Sequence, residues 1–111
     1  MTNRRELVRG IVACKGRAVG VARVVSRPSE IGVFNHGDVL VARTTDPSYT
    51  RLMLKASGIV TDFGGVTCHA AIVARELGVP CLVGASTATQ AVRDGANVLL
   101  DCEEGVLYEL F

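Results

Sequence analysis

The spacing of hydrophobic and polar positions changes several times along the chain, and each change predicts an element. Two Val-rich runs, Leu7–Cys14 and Ala18–Ser26, are separated by Lys15, Gly16 and Arg17, which predicts two strands joined as a hairpin. Arg27-Pro28 breaks the second run, and "HGDVLVA" predicts a turn followed by a short strand from Asp38 to Ala42. The period then lengthens. Tyr49, Leu52, Met53 and Ala56 fall at helical spacing, with Asp46 placed to cap the helix, Pro47 at its first position and Gly58 at its end.

"IVTD" is a buried strand that runs into Gly64 and Gly65. A helix from about Thr67 to Leu77 follows, closed by Gly78 in the left-handed conformation with Pro80 just beyond. "CLVG" predicts another buried strand, and a short helix near Thr87–Arg93 ends at Asp94-Gly95. "NVLLDC" and "GVLYEL" predict a closing pair of strands. Short strands with two or three helices between them, and no repeat or linker, predict a mixed α/β fold built in layers. The whole of residues 1–111 reads as one domain, with residues 1–6 as a flexible tail.

Composition narrows the core. Of 111 residues, 49% are hydrophobic but only 5% are aromatic and none is Trp, so Val, Leu, Ile and Ala must fill the interior. Net charge is +1, and the nearest candidate for a basic patch, Arg4, Arg5 and Arg9, lies in and just after the expected tail, so no nucleic-acid footprint is visible. No apolar stretch approaches the roughly 20 residues that span a bilayer, and "MTNRRELVRG" lacks the apolar centre of a signal peptide. Cys14, Cys68, Cys81 and Cys102 are widely spaced with no CxxC pair, which favours reduced thiols and a cytoplasmic setting. A thiol or metal site built on Cys68 and His69 would have too few ligands, so no metal is expected.

The candidate chemistry lies in "TDFGGVTCHAAIVARELG". A buried strand, a glycine turn and a helix start in succession offer free backbone N–H groups and the positive end of a helix dipole to an anion. Gly64 and Gly65 let a ligand approach the backbone. Thr67 is placed to cap the helix or to turn its hydroxyl toward a phosphate oxygen. His69 falls in the first turn, where such an environment favours a neutral, nucleophilic ring and then steadies a phosphoryl group attached to it. A structural reading stands beside this one: a strand-to-helix turn, an ordinary cap and a packed histidine. No GxxxxGK[ST] or GxGxxG pattern is present, so nucleotide binding within the chain is not expected.

"GGVTCHAAIVARELGVPCLVG" resembles the signature of the phosphohistidine swivelling domain of phosphoenolpyruvate-utilising enzymes, the family of pyruvate phosphate dikinase, phosphoenolpyruvate synthase and rifampin phosphotransferase. "GDVLVARTTDPSYTRLMLKASGIVTD", "GRAVGVARVV" and "DGANVLLDCEEGVLYEL" resemble its other blocks. The resemblance implies a compact β/β/α domain in which His69 is phosphorylated at Nε2 and carries the phosphoryl group between active sites. It implies further that Gly64 and Gly65 form the glycine turn and that Thr67 lies beside the phosphoryl group. Cys68 would occupy a position held by Ser or Cys, and Thr50 would bring a hydroxyl near the histidine ring. Arg75 matches the arginine of the family's "AR-x-L-G" run; six residues from His69 it falls on another helix face, where a structural ion pair is the expectation. Asp62 is expected to bond the glycine turn, with Arg75 as the alternative partner, and His36 has no expected role.

Neither of the other domains common in that family fits in this chain. The resemblance therefore implies an ATP-grasp nucleotide-binding domain or a phosphoenolpyruvate/pyruvate barrel as partner, in cis or in trans, with Mg²⁺ and ATP or phosphoenolpyruvate bound there and no cofactor bound here. No nucleic-acid or membrane partner is expected. The alternative is a packing or regulatory module without catalysis, like the C-terminal extension of some pyruvate kinases.

Overall fold

The computed structural model describes residues 3–111. Eight strands form one sheet: β1 (Arg4–Arg9), β2 (Ile11–Cys14), β3 (Arg17–Val24), β4 (Val39–Ala42), β5 (Gly58–Thr61), β6 (Cys81–Val83), β7 (Asn97–Asp101) and β8 (Val106–Leu110). Three helices, α1 (Thr50–Lys55), α2 (His69–Leu77) and α3 (Ala88–Ala91), join them, with 3-10 turns at Pro28–Val33 and Pro47–Tyr49. The strand order is β1-β8-β7-β3-β4-β5-β6-β2. β3 divides the sheet, running antiparallel to β7 on one side and parallel to β4 on the other. β4, β5 and β6 continue the parallel half, as crossover helices require.

β1 and β2 lie at opposite edges of this order yet are separated in the chain by Gly10 alone. The sheet must therefore curl back on itself. Gly10 sits where the two edges meet: a Cβ there would lie 2.7 Å from the Val83 carbonyl oxygen, and its N–H donates to Gly105 O at 3.2 Å.

Side-chain alternation then sorts the core into two bodies. Val39, Val41, Val60 and Leu82 point into the curl against Val98, Leu100 and Leu107. Leu40, Ala42, Ile59, Cys81 and Val83 point the other way, against Leu52 and Met53 of α1 and Ala70, Ala71 and Ala74 of α2. Strands buried on both faces read as unbroken apolar runs, which is why "VLVA" and "CLV" look alike in the sequence. Three alanines on the buried face of α2 let it lie close against the sheet. The result is an α/β fold with a β/β/α succession of layers. Burial pushes the Cys81 thiol well up and the Cys102 thiol up to about 12, so both pack as small apolar groups.

Four expectations need correction. β2 and β3 form no hairpin; β2 pairs with β6 and β3 with β7 and β4, because the chain changes layers at Lys15-Gly16, where Gly16 has φ +133°. The tail expected at residues 1–6 begins its order early. Arg4 to Glu6 belong to β1, paired with β8, while Arg5 bonds Glu109 at 2.8 Å and Arg4 lies 4.4 Å over the Tyr108 ring; residues 1–2 lie outside the described residues. That strand is solvent-facing at its start, so its polar composition hid it. Gly58 opens β5 instead of ending α1, whose C-cap is Ala56. α2 starts at His69 with Cys68, not Thr67, as its N-cap.

Candidate functional site

The site lies beyond the carboxyl ends of β4 and β5, where two loops meet the start of α2. That is the usual place for a ligand in a parallel sheet, because helix N-termini gather there. The loop after β5 is the glycine turn. Gly64 has φ +124°, and a Cβ on it would lie 2.8 Å from Cys68 Sγ, so glycine is required twice over. At Gly65 a Cβ would meet nothing within 4 Å. The fold does not explain that second glycine, whose missing side chain would stand in open space.

Cys68 caps α2 in backbone conformation only, with no side-chain capping bond. Its N–H reaches Gly65 O at 3.1 Å, and the first helical bond runs from Ile72 N to Cys68 O at 3.0 Å. Among the described residues no side chain accepts from the remaining donors of the first turn. His69 is half-buried, and its Nδ1 lies 2.8 Å from Thr45 Oγ1. Among the described residues no hydrogen bond reaches the other ring nitrogen, Nε2. Thr44, Thr45, Phe63, Gly64, Cys68, His69 and Ala70 enclose a shallow depression of about 190 Å³. Of these Phe63 is exposed, and Val66 and Ile72, also exposed, lie within three residues of His69 in the chain.

Thr45 is the residue that sequence reading missed. It is buried at 9% exposure, and the loop that carries it is zipped to the glycine turn by Asp62 N to Ala42 O at 3.1 Å and Phe63 N to Arg43 O at 3.0 Å. These bonds extend the β4–β5 pairing past the strand ends, which fixes the threonine against the ring. The signal was the doubled threonine of "RTTDP", whose role depends on where the loop folds.

The other expected residues separate. Thr50 does not supply the hydroxyl at the ring: its Oγ1 donates to Pro47 O at 2.7 Å within the turn before α1. Thr67 is exposed and does not cap the helix. Among the described residues Arg75 forms no ion pair. Its guanidinium donates to Val66 O at 2.6 Å and Ala13 O at 3.2 Å, tying the glycine turn to β2. Asp62, at 5% exposure, bonds neither the turn nor Arg75; its carboxylate accepts from Thr89 N at 3.0 Å and from the Thr89 hydroxyl, closing the start of α3. Asp46 does cap its turn, accepting from Ser48 N at 2.8 Å. Bonds from the Ser48 hydroxyl and then the Ser48 N–H hold its carboxyl below the usual range. His36 is exposed in its turn.

The family model described as "PEP-utilising enzyme, mobile domain" matches residues 34–105, which include this whole site. The chain belongs to that family. It is 48% identical over 111 residues to a probable phosphoenolpyruvate synthase of Staphylothermus marinus, covering 98% of this chain and 13% of the relative. It is 47% identical over 102 residues to the phosphoenolpyruvate synthase of Escherichia coli K12, covering 86% of this chain and 13% of that enzyme. A solution structure of an Enzyme I protein superposes with a TM-score of 0.57 at 39% identity, covering 65% of this chain and 30% of the other. The mobile domain thus spans about 13% of the length of these curated relatives, which carry it within much larger chains.

Proposed function

We propose that this mobile domain is a phosphoryl carrier whose acceptor atom is Nε2 of His69. The observation that supports this reading most directly is the Thr45–His69 contact at Nδ1. A ring that donates its Nδ1 proton to Thr45 Oγ1 keeps a lone pair on Nε2, the nucleophilic tautomer. The lone pair forms the P–N bond while the P–O bond to the donor's leaving group breaks. The transferred oxygens then face the uncapped N–H groups of α2 and the space left by Gly65, with Thr67 beside them. Delivery reverses the step at a second site.

Metal and in-line positioning come from partner surfaces in this reading: an ATP-grasp domain or a phosphoenolpyruvate/pyruvate barrel, with Mg²⁺ and ATP or phosphoenolpyruvate held there. Among the described residues no group of three His, Cys, Asp or Glu is placed to hold a metal ion. A shallow depression with exposed Phe63 in its wall suits a nucleophile that visits other surfaces.

Incubation with ATP or phosphoenolpyruvate and a phosphoenolpyruvate synthase-type partner should give acid-labile, base-stable phosphate on the chain, abolished in His69→Ala. Label undiminished in that variant would overturn the assignment. Absence of label on the wild-type chain would leave the packing-module alternative.

A further inference from the structure

Arg43 follows β4 and is exposed, with its guanidinium carbon 5.5 Å from the centroid of the Phe63 ring. Among the described residues it enters no ion pair. The Phe63 N–H bonds the Arg43 carbonyl, so backbone pairing and cation–π contact hold the two side chains together. Phe63 stands 51% exposed as a partition. On one side lies the depression of His69; on the other lies an open groove of about 610 Å³, lined in part by Arg43, Thr44, Asp46, Tyr49 and Thr89. Thr44 and Phe63 belong to both walls. The two spaces are therefore adjacent and share that wall, so a molecule reacting at His69 would reach the groove by passing over the exposed Phe63 ring.

Three other polar groups of the groove are already engaged. Asp46 accepts from Ser48, the Tyr49 hydroxyl donates to Ser26 O at 3.3 Å, and Thr89 donates to Asp62. That leaves Arg43 as the uncommitted charged donor. Its planar fork matches a carboxylate or a phosphate in two-point contact, and resting on an aromatic ring restricts it beforehand.

We propose that the groove beside Phe63 is a second anion subsite, in which Arg43 binds an oxyanion that the phosphoryl-exchanging molecule carries besides the group it transfers. Carboxylate and non-transferred phosphate share this chemistry. The proposal rests on the carrier reading of His69 and adds to it the recognition of the rest of the molecule.

Two measurements test it and keep the two readings apart. The ¹⁵N-labelled chain is titrated separately with phosphoenolpyruvate, ATP and inorganic phosphate. The expected result is a shift of the Arg43 side-chain N–H and the Thr44 and Phe63 amides, with phosphoenolpyruvate or ATP acting at lower concentration than phosphate, and loss of the effect in Arg43→Gln. A response to phosphoenolpyruvate alone identifies the carboxylate as the source; a response to ATP alone identifies the phosphate. In His69 labelling with the partner enzyme, Arg43→Gln should raise the KM for that donor roughly ten- to a hundred-fold, as loss of a hydrogen bond to a charged group implies, with Arg43→Lys intermediate. Shifts that miss these residues, that survive Arg43→Gln, or that inorganic phosphate produces equally well would overturn the subsite. An unchanged KM in Arg43→Gln alongside normal His69 labelling would do the same and leave the carrier intact. A wild-type chain that never takes label removes the carrier reading, and the titration still decides the groove.

Discussion

Among the described residues α1 with its 3-10 turn, α2 and α3 start after β4, β5 and β6, and two of these three starts are closed by a carboxylate. Asp46 accepts from Ser48 at the turn before α1, and Asp62 accepts from Thr89 at α3. The start of α2 has no side-chain cap, and His69 is its first residue. At the first two sites a permanent negative charge satisfies the free N–H groups. At the third no side chain takes that place, which suits the transient charge proposed for His69. A hydroxyl or carboxyl cap at position 68 would contribute about 1 kcal/mol. Leaving it out breaks a local stability rule, and such breaks are expected where function needs the group instead. The two glycines of the turn divide the same way: Gly64 is demanded by backbone geometry and contact, Gly65 by neither.

The largest effect expected short of removing His69 is that of Thr45→Val, which should sharpen the contrast by leaving the helix start intact while releasing the ring. Loss of one buried hydrogen-bond partner costs about 1–3 kcal/mol, so His69 phosphorylation should slow roughly five- to a hundred-fold with the melting temperature little changed. An unchanged rate would reduce Thr45 to a packing contact. Cys68→Asp attempts to break the comparison by giving α2 the fixed charge its neighbours have. Stability should rise by about 1 kcal/mol while phosphorylation falls about ten-fold; a stabilised variant that accepts phosphate at the normal rate would show that the open donors have no part in the reaction.

Asp62→Ala opens the start of α3 in turn. The part-buried Thr89 N–H loses its acceptor, and denaturant unfolding should report a loss of about 1–3 kcal/mol, with phosphate acceptance retained wherever the chain stays folded. The smallest effect belongs to Asp46. Its folded-state value lies below the ordinary 3.8, held there first by the Ser48 hydroxyl and then by the Ser48 N–H. A depressed carboxyl contributes stability that is fully present above the unfolded value and is lost as pH falls through the folded one. Melting temperature should therefore decline below about pH 3.8, and Asp46→Asn should flatten that part of the profile. Identical profiles for the two proteins would remove Asp46 from the list of effective caps.

Much of this arrangement was legible in the chain, for local reasons. Gly78 closes α2 at φ +70°, Asp46 and Pro47 open their turn, and Tyr49, Leu52, Met53 and Ala56 are all buried, because caps and periodicity depend on residues a few positions apart. The misreadings share one feature. Arg75, Asp62 and Thr50 were each given a partner by charge type or resemblance, and each found a different one. Backbone carbonyls accept from these side chains, and backbone N–H groups donate to them, as readily as opposite charges pair, and no sequence pattern announces which backbone group will be in reach. Thr45 was overlooked for the same reason: its 24-residue separation from His69 closes only when β4 and β5 pair.

Sequence alone determined the mixed strand-and-helix content, the glycine turn ahead of α2 and the placing of His69 at the helix start, since each follows from conformational preferences of short stretches. Tertiary structure decided the rest. Pairing of β1 with β8 turned an apparent tail into an edge strand, and the parallel pairing of β4 with β5 delivered Thr45 to Nδ1 and left Nε2 free. The same pairing joined Arg43 to Phe63 between two adjoining hollows. Which nitrogen is free depends on a contact across strands, and cross-strand register is set by how the whole sheet packs.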